Sequence, residues 1–123
     1  PIHNSAVAGK SSINMKSYTV DYKFSGNVSK TISAHSPQTW LDMYATVTLA
    51  STSIAGYWHS AVIAFNDLSG TSLANSILAY PNWEDMTMSG TSATFHYKFN
   101  FYNNSTSSAT VCMVRVRMIV AFK

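Results

Sequence analysis

The sequence predicts an all-β protein, a single antiparallel β-sandwich of jelly-roll-like architecture with about eight strands. Several stretches alternate between apolar and polar residues with a period of two, which is the pattern of a strand that buries one face. Turns rich in Ser, Asn and Gly separate these stretches at roughly the 8–12-residue spacing that is typical of sandwiches. A chain of 123 residues has room for one such domain with a sizeable core.

The N-terminal part of the chain divides into an arm and the first predicted strands. Residues 1–13 are small and polar with scattered apolar side chains, and they predict an arm or linker that precedes the domain. The β-sandwich domain is assigned to residues 14–123. Its first strand is predicted over residues 18–24, where apolar and polar side chains alternate, and a Ser-Gly-Asn turn leads to residues 28–34. The turn predicts that these two segments pair as a hairpin.

The middle of the chain predicts two regular strands and one less regular segment. Residues 43–50 and 57–65 are rich in β-branched and aromatic side chains, which favour strands. Trp40 precedes the first of them and is assigned to the core or to a subunit interface. Residues 72–80 fit either a short helix or a strand, and we prefer the strand because a β-favouring run ends directly before a proline. Residues 81–85 predict a loop that carries one aromatic side chain.

The last two predicted strands are expected to supply the centre of the core. Residues 95–101 place four aromatic side chains on one face of a strand. Residues 109–122 contain no Gly or Pro, and their alternation separates an apolar face from a face with two arginines. The apolar face comprises Cys112, Val114, Val116, Met118, Val120 and Phe122. We expect the two strands to pair across a polar hairpin loop, and Cys112 to be a small buried hydrophobic residue.

Composition and motif spacing argue against catalysis and against nucleic-acid binding. The acidic residues are Asp21, Asp42, Asp67, Glu84 and Asp85. Nothing in the sequence places a carboxylate across a cleft from the last two, as glycoside hydrolysis requires. The four histidines lack metal-ligand spacing, and no phosphate or dinucleotide motif is present. The eight basic residues are scattered, and no apolar run is long enough to span a membrane. We therefore predict no enzymatic activity, no cofactor, no metal, no nucleic-acid partner and no membrane insertion.

Aromatic residues beside polar ones predict a ligand-binding site. The segment around Trp83 is the best candidate, because an aromatic ring stacks on the C–H face of a sugar while amides and carboxylates accept hydroxyl groups. Its candidate residues are Tyr80, Asn82, Trp83, Glu84 and Asp85. Tyr57 and His59 form a second candidate cluster on the predicted strand of residues 57–65. The alternative for Trp83 is a plug that closes one end of the sandwich.

Three stretches of the chain resemble a known family. They are residues 17–28 (SYTVDYKFSGNV), 61–66 (AVIAFN) and 101–111 (FYNNSTSSATV). Together they resemble the appended receptor-binding or head domains of bacteriophage tail fibre and baseplate-associated proteins, in which a polar Asn/Ser hairpin also leads into a closing strand. The resemblance extends over residues 18–123.

The resemblance implies a trimeric β-sandwich head that binds a host-surface polysaccharide, such as a glycan or a teichoic acid-type polymer. We therefore expect a non-enzymatic receptor-binding module that forms a homotrimer, contacts other virion proteins, and is located on the virion or otherwise outside cells. The charged fraction of 11% suits close subunit contacts, because few charges would need desolvation. The alternatives are a structural virion protein (a decoration, capsid or tail component) that binds no sugar, and a soluble lectin.

Overall fold

The computed structural model describes residues 14–35, 39–65 and 77–123. Within these ranges it describes only the backbone of residues 39, 60–65, 83 and 84. The predicted arm, residues 1–13, lies outside the described residues, as do residues 72–76 of the segment that fits either a helix or a strand.

The described residues form eight β-strands and one short 3₁₀ turn, so the prediction of an all-β protein is confirmed. The strands are β1 (Met15–Lys23), β2 (Lys30–Ile32), β3 (Thr39–Thr48), β4 (Ile54–Phe65), β5 (Ile77–Ser89), β6 (Ser92–Asn103), β7 (Ala109–Val111) and β8 (Met113–Phe122). The 3₁₀ turn spans Ser25–Asn27. No helix in these ranges is long and apolar enough to cross a membrane.

Six of the strands form one curled antiparallel sheet in the order β4-β8-β1-β3-β6-β5, and β2 pairs with β7 in a second, small sheet. Strands β1 and β3 are paired only where Lys23 meets Tyr44. The large sheet therefore divides there into a first half-sheet (β4, β8 and β1) and a second half-sheet (β3, β6 and β5). The outermost strands, β4 and β5, also contact each other. The two inner faces consequently meet around one core, which is a sandwich-like arrangement.

The core lies between the inner faces of the two half-sheets. The central strand of each half-sheet contributes four fully buried or nearly buried side chains at alternate positions, and these are Phe95, Tyr97, Phe99 and Phe101 of β6 and Val114, Val116, Met118 and Val120 of β8. Tyr22 of β1 reaches across the core, with its ring centroid 5.1 Å from that of Tyr97 and 5.3 Å from that of Phe99. Full burial of each large apolar side chain stabilises the fold by about 1.5–3 kcal/mol. The prediction that these two strands supply the centre of the core is confirmed.

Two predicted hairpins are wrong, because the chain changes sheet where a direct return was expected. After β1 the chain passes through the turn at Ser25–Asn27 into β2, which pairs with β7 and not with β1. After β6 it forms β7 and only then enters β8. Strand β8 pairs with β1 and β4, whereas β6 pairs with β3 and β5. The last two long strands thus face each other across the core instead of sharing backbone hydrogen bonds.

The predicted loop at residues 81–85 is also wrong, since these residues lie within β5. The pairing of β5 with β6 shifts register between Pro81 and Trp83, which is the position of a β-bulge. Because β5 is an edge strand, a proline there removes no hydrogen bond from a central ladder. The preference for strand over helix before Pro81 is confirmed for residues 77–80.

Two local features complete the fold. A Gly90-Thr91 turn joins β5 to β6, and Gly90 has a φ of +59°, a conformation that glycine adopts without steric cost. Cys112 lies between β7 and β8, is buried, and clusters with the buried Met113. It is therefore a small core residue, as predicted.

Candidate functional site

The outer face of the second half-sheet presents side chains in rows that cross three strands. Strand β6 lies in the middle and pairs with β3 on one side and β5 on the other, so the register assigns one position of each strand to every row. The first row is Trp40, Asn100 and Tyr80, and the third is Tyr44, His96 and Asp85. The second row contains Asp42 and Lys98, with the backbone of Trp83 opposite Lys98. These positions alternate along β3 and β6 with the buried residues of the core. Residues that are distant in sequence are thereby brought onto one surface.

Three aromatic side chains on this face are unusually exposed. Trp40 is 43% exposed, Tyr44 41% and Tyr80 54%. Large apolar groups in a cluster at the surface mark an interaction site more often than isolated ones do. We call the group of Trp40, Tyr44, Tyr80 and Asn100 the aromatic platform. The assignment of Trp40 to the core of the chain is therefore wrong, because its position in β3 directs it to the outer face.

Asn100 is the polar residue at the centre of the first row. Its side chain is only 6% exposed, and its Oδ1 atom is buried without a hydrogen-bond partner among the described residues. Leaving a buried acceptor unpaired costs about 1–3 kcal/mol, and more than nine in ten buried polar groups avoid this. An unpaired buried acceptor between two exposed aromatic residues is a position that a ligand donor would satisfy.

His96 connects the second and third rows through its contacts with Asp42 and Tyr44. Its Nε2 atom lies 2.8 Å from Oδ1 of Asp42, an ion pair when the imidazole is protonated. Its ring stacks on that of Tyr44 with centroids 4.5 Å apart and an interplanar angle of 11°. Lys98 and Asp85 are exposed on the same three strands, so the face carries charges of both signs. The stacking contact holds the ring of Tyr44 in place. Because positive and negative side chains are mixed, the electrostatic potential over the platform is not dominated by one sign.

Two clefts border the platform. One of about 300 Å³ has walls formed by Trp40 and Tyr44 and is lined further by Phe24, Ser25, Lys30, Leu41 and Asp42. A larger one of about 530 Å³ lies where β1 and β3 separate, and Thr19, Asp21, Thr46 and Thr48 are among its lining residues. Both volumes fall in the range of small-ligand sites. We favour the smaller cleft as part of the site, because it adjoins Trp40, an exposed aromatic beside the unpaired Asn100.

The structure places five of the sequence-predicted site residues on β5, beside the platform. Tyr80 belongs to the first row, and Asp85 to the third. Asn82 is exposed and falls at the register shift. Trp83 is opposite Lys98 and Glu84 is opposite Tyr97 in the backbone register, but their side chains lie outside the described part of the structure.

The two other predicted site residues lie elsewhere, against the core. The ring of Tyr57 packs edge-to-face on Phe95 with centroids 5.1 Å apart. Nε2 of His59 is 3.2 Å from the hydroxyl of Tyr22, and its ring lies 4.3 Å from that of Tyr97. Burial lowers the pKa of His59 to about 4. The structure does not bring these residues to the platform.

The site residues that the sequence analysis did not select are Trp40, Tyr44, His96 and Asn100. A signal for the first two was present, since Trp40, Asp42 and Tyr44 alternate with Leu41, Met43 and Ala45 and therefore share one face of a strand. No signal in the sequence indicates Asn100, because its role in the site depends on Trp40 and Tyr80, which β3 and β5 place on either side of it.

The described residues contain no cluster of His, Cys, Asp and Glu that would hold a metal ion. Comparison of the chain with family models, with curated proteins and with solved structures finds no match. Function is therefore inferred from the geometry of the outer face.

Proposed function

We propose that the protein is a non-enzymatic surface module of a virion that binds a host-surface saccharide through the aromatic platform. The observation that carries this proposal is the row of Trp40, Asn100 and Tyr80, in which two exposed rings flank an unpaired polar atom. Aromatic faces stack on the apolar C–H surface of a sugar ring, and amide and carboxylate groups between them bond to hydroxyls. The low charged fraction and the mixed charges of this face suit a ligand recognised by stacking and neutral hydrogen bonds.

Binding is favoured over hydrolysis by the arrangement of the carboxylates on this face. A glycoside hydrolase holds two carboxyl groups about 5–10 Å apart on opposite sides of the scissile bond. Asp42 instead bonds to His96 across neighbouring strands, and Asp85 is exposed on an edge strand. Both acids are exposed, whereas the general acid of a glycoside hydrolase lies in a partly buried, apolar environment.

A structural virion protein without sugar binding is the second candidate, and one observation favours it. The outer face of the first half-sheet also exposes apolar side chains, since Met15 is 57% and Trp58 44% exposed. Two of its charges are paired, because Arg115 donates two hydrogen bonds of 2.8 and 3.1 Å to Asp21. Such a face suits contact between copies in a homotrimer or contact with other virion proteins.

A glycan-array screen that includes bacterial wall polymers tests the proposed function, with the oligomeric mass fixed beforehand by light scattering. Trp40→Ala and Trp58→Ala are matched variants, because the two tryptophans are almost equally exposed and lie on opposite half-sheets. We expect a specific hit that Trp40→Ala weakens by at least about tenfold, as for a buried aromatic contact, and that Trp58→Ala leaves unchanged. Trp83→Ala measures the contribution of the residue that the sequence singled out.

Two outcomes would contradict the proposal. A stable oligomer that binds nothing on the array would favour the structural virion protein. Binding that is lost in Trp58→Ala but retained in Trp40→Ala would move the site to the other half-sheet. A monomer by light scattering would contradict the expected homotrimer without affecting the assignment of the platform.

A further inference from the structure

The spacing of the platform aromatics limits the shape of the ligand. Trp40 and Tyr80 occupy the same row and are separated by one strand, β6. Because neighbouring strands lie about 4.8 Å apart, the two backbone positions are about 10 Å apart. A single sugar ring covers one of these aromatic side chains but not both. Two or more sugar units linked in an extended chain would reach from one to the other.

The direction of that chain follows from the row itself. Trp40, Asn100 and Tyr80 lie across the strands, and the next positions on this face of β6, Lys98 and Tyr102, belong to the neighbouring rows. Tyr102 pairs with Leu78, which is 44% exposed and extends the apolar surface beside Tyr80. A linear ligand that contacts both Trp40 and Tyr80 therefore lies perpendicular to the strands.

Asn100 specifies the group that lies between the two rings. Its unpaired Oδ1 is a hydrogen-bond acceptor, so the ligand must present a donor there, either a hydroxyl or an amide N–H. The atom is covered in the unliganded protein, and its neighbours in the row are two surface side chains, Trp40 and Tyr80. Exposed side chains change rotamer readily, so binding at this atom involves a local rearrangement of surface side chains.

The charges around the row indicate an uncharged ligand. Asp42 is paired with His96, and Lys98 and Asp85 place one charge of each sign on the adjoining rows. Lys30 adds a positive charge at the neighbouring cleft, where Asp42 adds a negative one. A polyanion or polycation would be attracted by one charged side chain and repelled by the next, so its charge would add little to the affinity.

We propose that the platform selects a linear, uncharged oligosaccharide of at least two units that lies across β3, β6 and β5. One sugar stacks on Trp40 and another on Tyr80, and a hydroxyl or acetamido N–H between them donates to Oδ1 of Asn100. This inference rests on the proposed function and adds the length, direction and charge of the ligand.

The test is calorimetric titration of the native protein with two neutral series, β-1,4-linked glucose and β-1,4-linked N-acetylglucosamine, from one to six units, with galacturonic acid oligomers as the charged counterpart. For at least one neutral series, we expect affinity to rise about tenfold or more from one unit to three and then to level off. Tyr80→Ala and Trp40→Ala should each remove most of this rise, because either variant leaves only one ring of the row for stacking.

The outcomes separate this inference from the proposed function. Three results would contradict a linear, neutral ligand but leave a saccharide-binding function intact. They are binding that does not depend on length, binding that survives Tyr80→Ala, and binding that is confined to charged oligomers. Absence of binding to both the array and the oligomers would overturn both. Thermal unfolding of Trp40→Ala and Tyr80→Ala, with midpoints equal to that of the wild type, confirms that the variants report on contact with the ligand.

Discussion

Two asparagines on β6, three positions apart, are both buried, but only one of them has hydrogen-bond partners for its side-chain oxygen. The side chain of Asn103 donates from Nδ2 to the carbonyls of Ile32 and Ser107 at 3.0 and 2.8 Å. Its Oδ1 accepts from the backbone N–H and the hydroxyl of Ser105 at 2.9 and 2.7 Å. Asn100 lies in the middle of the strand, and its Oδ1 has no partner among the described residues.

The difference separates a structural polar group from one that is available to a ligand. Asn103 joins the end of β6 to β2 and to the loop before β7, so its hydrogen bonds hold the small sheet against the large one. Asn100 makes no such connection through its oxygen, and it lies between the two exposed aromatics of the platform. A buried acceptor that is left unpaired lowers stability, and binding sites are where such a cost is commonly found.

Replacing the structural asparagine gives the largest expected effect. Asn103→Leu removes four hydrogen bonds and leaves the carbonyl of Ile32 and the N–H of Ser105 without their side-chain partner. Each group left unpaired in a buried setting costs about 1–3 kcal/mol, so we expect the free energy of unfolding to fall by about 3 kcal/mol. Denaturant unfolding measures this change.

The neighbouring Asn104 supplies the control, because it is exposed. We expect Asn104→Leu to change stability by less than about 0.5 kcal/mol. If the two leucine variants were equally stable, the hydrogen bonds of Asn103 would not hold the small sheet in place.

His59 is an intermediate case, since it is partly buried and bonds to Tyr22. Burial lowers its pKa from 6.5 to about 4 in the folded protein. Because the pKa is lower in the folded state than in the unfolded state, the folded state favours the neutral imidazole. The stability that this neutral imidazole contributes is fully present above about pH 6.5 and is lost as the pH falls towards 4. We expect a loss on the order of 2–3 kcal/mol over this range from this group alone.

The measurement is the free energy of unfolding at a series of pH values for the wild type and for His59→Phe. The phenylalanine ring keeps a stacking partner for Tyr97 but does not titrate in this range. The variant should show a shallower fall in stability between pH 6.5 and 4. An identical fall in both proteins would exclude His59 as its source.

The faces of the long strands were predictable, because alternation depends only on the local chain. The buried face of β8 and the four aromatics of β6 follow directly from the period of two. The pairing of strands was not predictable in the same way. Nothing local in residues 28–34 indicates that β2 pairs with β7, because that contact is made by residues far apart in sequence.

Only part of the candidate site was predictable from the sequence, because some of its features are local and others depend on the pairing of strands. Polar residues around Pro81 were interpreted as a loop, although a bulge on an edge strand accommodates the same composition. Tyr80 and Asp85 were nevertheless selected, because an aromatic residue beside polar ones suggests binding in either structure. Asn100 was not selected, since its unpaired state exists only when β3 and β5 lie on either side of it.

Asn100→Leu has a smaller expected effect on stability than Asn103→Leu and is the most direct test of the platform. Leucine has the same branched heavy-atom skeleton and carries no acceptor, so the unpaired oxygen is removed without opening a cavity. The measurement combines denaturant unfolding with titration by the saccharide that binds the wild type best. We predict a free energy of unfolding that is unchanged or raised by up to about 1 kcal/mol, together with affinity lowered by at least about tenfold. A loss of more than about 2 kcal/mol, or saccharide binding equal to that of the wild type, would contradict the account.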